Sequence, residues 1–216
     1  MFTALMLLSG LFWTATYVGI IRRGFLDRSP GMPLAALAAN LSWEFLFAFV
    51  QPHGPVQRTV NATWFVLDLV ILFQALRYGP RELDLSRGLF LGAVALALGL
   101  AFLAVLLISH EFHDPDGAYT AFGQNLMMSV LFLGMVQQRR SLRGQSLGIA
   151  LGKMLGTAFA SLAFFLYAEL SRRSVLLPFL YVAILVTDLI YVAVVWRLAS
   201  ADETREPTPT IRWRPA

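Results

Sequence analysis

Three carboxylates stand well inside apolar runs of this chain: Glu44, Asp68 and Asp188. An acid in hydrocarbon costs several kcal/mol unless it is paired, wetted or protonated, so acids at that depth point to function. Glu44 closes the stretch Asn40-Leu41-Ser42-Trp43-Glu44, whose spacing stacks Asn40 and Glu44 on one helix face with Trp43 beside them. Trp64 precedes Asp68 by one helical turn and Tyr191 follows Asp188 by another, so each of these acids also shares a face with an aromatic. Asn125 and Lys153 add two more polar groups at membrane depth, and Tyr17, with Trp13, is a candidate for the wall of a cavity. Such a set can hold a cation, carry protons, or protonate a substrate in a dry site. The structural alternative is hydrogen bonding across helices that merely specifies packing, with Lys153 snorkelling to the nearer surface.

These residues need helices to position them, and composition supplies the helices' setting. Hydrophobic residues make up 57% of the chain and charged residues 14%, against roughly 25% charged in a soluble domain. The fold class is therefore all-α, a polytopic membrane protein with a compact bundle of seven transmembrane helices. The segments run approximately over 3–21, 32–50, 60–76, 89–108, 118–136, 147–168 and 175–196, each long enough to approach a ~30 Å hydrocarbon core. The third is the shortest and the weakest candidate. Residues 1–200 form a single seven-helix domain, and 201–216, polar and Pro-containing, a disordered cytoplasmic tail. The N-terminus lacks a basic signal-peptide region, so the first segment reads as a retained helix.

Loop charge sets the orientation. With the N-terminus outside and the C-terminus cytoplasmic, thirteen of the sixteen Arg residues fall inside, and only Arg58, Arg172 and Arg173 fall outside. The formal charge of +4 resides in these short loops and calls for no nucleic-acid partner. A multi-pass protein of the cell membrane is expected. On this orientation Glu44 and Asp68 lie about 10–12 Å from the outer ends of their helices, and Asp188 about 20 Å from the outer end of its own.

Other signals are weak. The chain has no Cys, which removes disulfides, thiolate metal sites and cysteine nucleophiles. His110-Glu111-Phe112-His113-Asp114-Pro115-Asp116 resembles a metal-binding loop, but its His spacing is not the one that places two His on one helix face. With His53 it keeps a zinc hydrolase open as a reading, behind a proton-coupled transporter or a receptor built on the intramembrane acids. Asn61-Ala62-Thr63 matches a glycosylation sequon but lies against the membrane and is discounted. Phosphate-binding Gly loops, nucleophile elbows and the Asp-rich motifs of soluble terpene synthases are missing.

The order of several short motifs resembles the small integral-membrane terpene cyclases of fungal meroterpenoid and indole-diterpene pathways, the pyripyropene and paxilline type, and their bacterial relatives. The motifs are Tyr17-Val18-Gly19, Asp27-Arg28-Ser29, Asn40-x-x-Trp43-Glu44, Arg77-Tyr78-Gly79-Pro80, Ser141-x-Arg143-Gly144-x-Ser146 with Lys153 beyond it, and Asp188-x-x-Tyr191. The Arg-rich composition, with a single Lys, fits a bacterial member. The resemblance implies proton-initiated cyclisation of a prenyl chain on another scaffold, with Glu44 and Asp188 as the essential acids. It implies no cofactor and no metal, because no diphosphate leaves. A prenylated small molecule and the lipid bilayer are the expected partners. Asn40 and Asp68 would orient the acids, and Trp43, Trp64 and Tyr191 would face a carbocation.

Overall fold

The computed structural model describes residues 1–203. Six helices are long and apolar enough to cross a membrane: α1 (Phe2–Asp27), α3 (Pro55–Glu82), α4 (Arg87–Glu111), α5 (Ala118–Arg139), α6 (Leu147–Tyr167) and α8 (Leu176–Glu203). The others are α2 (Leu34–Phe45), which continues into a π-helical turn at Leu46–Val50, and the five-residue α7 (Glu169–Arg173). The all-helical membrane bundle is as expected. The tail beyond 203 lies outside the described residues.

The lengths correct the sequence reading. The third span is among the longest, 28 residues, and the second is the short one. Pro55 and Pro80 look like boundaries in the sequence, but Pro55 occupies the first helical turn and Pro80 lies close to the helix end. Pro55 sits where the N–H has no intrahelical partner, while Pro80 forfeits its bond to the Leu76 carbonyl but only in the last turn, so the helix runs through both.

The short α2 is the centre of the bundle, packed against α3, α4 and α5. All nine residues from Ala36 to Glu44 are buried, which is what an all-round apolar helix requires. Its Ala-rich first turns let neighbouring backbones approach. The lipid side is taken by residues such as Leu96, Leu100, Leu103 and Leu107 of α4, each more than half exposed. α1 lies along α6, while α8 packs on α5 and α6.

At the end remote from the N-terminus, Glu82 ties three segments together. It accepts from Ser29 Oγ at 2.7 Å and pairs with Arg139 at 2.5 Å. Arg139 also donates to the Pro30 carbonyl at 2.9 Å, and the Gly144 N–H donates to Asp27 at 2.7 Å. Gly144 has φ +73°, a conformation that glycine adopts without penalty. Asp27, Ser29 and Gly144 therefore clamp the loops of the bundle; their motifs serve the fold.

Candidate active site

The α2 helix carries Glu44 and Asn40 one turn apart, as the spacing predicts, and α1 supplies their partner. Tyr17 Oη donates to Glu44 Oε1 at 2.8 Å and accepts from Asn40 Nδ2 at 2.8 Å. Gln124 Nε2 of α5 reaches Asn40 Oδ1 at 3.4 Å. Asp68 of α3 lies behind this group, fully buried, with its carboxyl against Glu44, Asn40 and Tyr17. Neither acid has a cationic partner among the described residues, and Glu44 Oε2 and both Asp68 oxygens lack a donor. Two carboxylates can only accept hydrogen bonds, so the pair would need a proton of its own to gain a donor.

Glu44 forms part of the wall of a cavity of about 730 Å³ that opens at the N-terminal end of the bundle. The wall is mostly apolar and aromatic, with Trp13, Tyr17, Trp43, Trp64, Phe122 and Phe164. The indoles are held in place. Trp64 Nε1 donates to Thr14 at 3.0 Å and its ring lies 6.0 Å from that of Tyr17. Trp43 Nε1 donates to the Gly117 carbonyl at 3.0 Å. The π-helical turn that follows Glu44 re-aims Phe47, which fills the space beside Gly117: a Cβ there would lie 2.3 Å from the Phe47 ring.

Lys153 does not snorkel. It is 1% exposed and donates to Asp188 Oδ1 at 2.7 Å, Ser129 Oγ at 2.6 Å and Asn125 Oδ1 at 3.3 Å. Asn125 in turn donates to Thr157 at 2.9 Å and lines the main cavity. Trp13 stands between, 6.0 Å from the ammonium and also in the cavity wall. Asp188 itself is absent from that wall; it borders a smaller cleft of about 290 Å³ between α6 and α8. Tyr191 turns away as well, donating to Gln145 at 2.6 Å and packing edge-on against Phe132.

The zinc reading fails on geometry: among the described residues no three His, Cys, Asp or Glu side chains converge. His53 stacks on Phe47 at 4.7 Å and meets Asn61 at 3.2 Å. Burial holds its imidazole below the usual value, opposed by nearby Asp116 and Asp114. Asn61 is fully buried, so the sequon is not a surface acceptor. In the His110–Asp116 loop, Asp114 accepts from the Tyr119 N–H at 2.7 Å and caps the start of α5.

A family model described as Pyr4-like transmembrane terpene cyclases matches residues 1–201. The chain belongs to this family. It is 31% identical to the Pyr4-family terpene cyclase mfmH of Annulohypoxylon moriforme over 74% of this chain and 68% of that protein. Terpene cyclase macJ of Penicillium terrestre is 30% identical over 76% of this chain and 65% of its own length. Terpene cyclase cle7 of Aspergillus versicolor is 30% identical over 74% and 69%. The matched region thus spans about two thirds of these relatives. No solved structure matches this cyclase-family chain.

Sequence reasoning selects Glu44, Asn40, Tyr17 and Asp68, which the fold gathers, and Lys153, Asn125 and Asp188, which it gathers separately. It expects the two essential acids to work together; the structure sets them in different clusters. It also misses Gln124, whose only signal is an amide within an apolar helix, and the link from Trp13 to Lys153.

Proposed function

We propose that this chain cyclises a prenyl chain carried on a small-molecule scaffold, with the Glu44–Asp68 carboxyl pair as the proton source. One observation carries the reading: Glu44, backed by the buried Asp68 and without a cationic partner among the described residues, stands in the wall of a large, aromatic, mostly apolar cavity. Tyr17 holds Glu44 Oε1, which leaves Oε2 for the proton. On transfer, the O–H bond breaks and the π pair of the terminal alkene takes the proton, leaving a tertiary cation. Neighbouring alkenes then close rings, each π pair forming one C–C bond. Loss of a proton to the Glu44–Asp68 pair restores the acid, so the product is an isomer of the substrate. With an epoxide, the proton goes to oxygen and a C–O bond breaks instead.

The indoles of Trp13, Trp43 and Trp64 stabilise the cation by about 0.5–2 kcal/mol each, and the apolar wall excludes the water that would quench it. Asp188 acts at one remove: it holds Lys153, which fixes Asn125 in the wall. The chemistry needs no metal because no diphosphate departs. The positive-inside count supports placing the cavity mouth on the outer side of the cell membrane.

The test is mass spectrometry of products from membranes given farnesylated or geranylgeranylated acceptors in D2O. An isomer bearing one non-exchangeable deuterium is expected, and Glu44→Gln should lower its yield by about 10²–10⁴-fold, the contribution of a general acid. An undeuterated isomer formed only from the epoxide would move initiation to oxygen. Folded protein that isomerises neither class would refute the reading and favour proton-coupled transport.

A further inference from the structure

The cavity is bounded unevenly. Along α1 and α6 the helices touch: a Cβ at Gly152 would lie 2.4 Å from Thr16 Oγ1, and one at Gly156 2.7 Å from the Trp13 ring. Phe12 stacks on Phe159 along the same seam, with centroids 5.6 Å apart. Between α1 and α3 the seam is closed at Trp64–Thr14 and is open from there toward the N-terminal end. A Cβ at Gly10, one turn above that bridge, would meet nothing within 4 Å. Leu7, Leu11 and Val56 line the cavity and are nevertheless 60%, 65% and 70% exposed, which happens only where a cavity communicates with the outside. Both helices are long and apolar enough to span a membrane, and the exposed side chains at the opening, Leu7, Leu11 and Val56, are apolar, as a lipid-facing opening requires.

Its chemistry suits an apolar passenger. The hydroxyls of Thr14, Thr59 and Thr63 donate to backbone carbonyls one turn back, at 2.7, 2.9 and 2.8 Å. This leaves the opening with methyl groups and no unmet hydrogen-bonding demand. The rim at the loop end differs: His53, Gln57 and Asp116 border the cavity there.

We propose that the substrate enters sideways from the bilayer, between α1 and α3, with its prenyl tail toward Glu44 and its polar scaffold left at the His53–Gln57–Asp116 rim. The route rests on the cyclase reading above. It lets a lipid-dissolved tail reach the acid without crossing water, and it makes the α1–α3 seam the filter for tail length and branching.

The natural absence of Cys allows a direct test. Gly10→Cys and Val60→Cys, one turn above the Thr14–Trp64 bridge on each helix, are joined by a reducible bis-methanethiosulfonate linker in vesicles containing a farnesylated acceptor. Bridging should slow steady turnover at least tenfold, and reduction should restore it. Substrate loaded before bridging should still complete one cyclisation inside the closed protein. Gly10→Trp, which fills the opening without a cross-link, should raise KM for vesicle-borne substrate, while Gly99→Trp, on the exposed side of α4 and outside the cavity, leaves it unchanged. Bridged protein that turns over at the open rate, with Gly10→Trp unaffected, would overturn the route and leave the cyclase reading standing. No cyclisation by the unbridged, folded protein would overturn both.

Discussion

Removing Lys153 alone should damage this protein far more than removing Lys153 and Asp188 together. Both side chains are 1% exposed and meet at 2.7 Å. Lys153→Met leaves the Asp188 carboxylate buried without its cation, and its Oδ2 already has no partner. Breaking one side of a buried ion pair costs about 3–5 kcal/mol, whereas replacing both members by well-packed apolar residues is often near neutral. A loss of that size is a fifth or more of the roughly 5–15 kcal/mol that holds a domain folded. At about 2–4 °C per kcal/mol for a chain of this length, Lys153→Met should lower Tm by about 6–20 °C. Lys153→Met with Asp188→Leu should recover most of it.

The assay is thermal unfolding in detergent of both single variants and the double variant, read as a cycle, followed by product analysis. Additive losses, or single variants as stable as the parent, would refute the ion-pair argument. Turnover separates the roles of the two clusters. A stable double variant slowed about tenfold fits a pair that positions Asn125 in the cavity wall. A stable double variant with no turnover at all would move Asp188 into proton transfer and out of the scaffold.

Three further outcomes follow from the same contacts. Tyr17→Phe removes the donor to Glu44 Oε1 and the acceptor for Asn40; Glu44 becomes anionic as it gives up its proton, so at about 1.5–3 kcal/mol for a hydrogen bond to a charged group kcat should fall about 10–100-fold, and an unchanged kcat would exclude Tyr17 from orienting the acid. Gly117→Ala combines φ +63° with a Cβ 2.3 Å from Phe47, so Tm should fall by several degrees, while Gly99→Ala, whose Cβ meets nothing within 4 Å, should not move it. His53 has its folded-state value depressed by burial, so below about 6.5 the unfolded chain binds the extra proton and stability should fall with pH. Tm measured at pH 7.5 and 5.5 should show that drop, and His53→Gln should flatten it; an equal drop in the variant would assign it to other groups.

Much of this protein is legible in its sequence, because water and hydrocarbon act on residues one segment at a time. Apolar runs separated by Arg-rich loops determine a polytopic helical bundle, and the energetic penalty of an intramembrane acid singles out Glu44, Asp68 and Asp188. The i, i+4 spacing puts Asn40 and Glu44 on one face, where the structure has them. Helix ends are less legible: Pro55 and Pro80 signal breaks, yet the first lies where no N–H is needed and the second forfeits only a bond in the last turn. Partnership is not local at all. Tyr17 reaches Glu44 across 27 residues and Lys153 reaches Asp188 across 35, so which acid is neutralised depends on how the helices cross. Tertiary packing alone decides that Lys153 compensates Asp188 and leaves Glu44, among the described residues, with Tyr17 and a second carboxyl. An ammonium group offers its charge to whichever buried carboxylate lies within about 3 Å, and that distance is a property of helix packing.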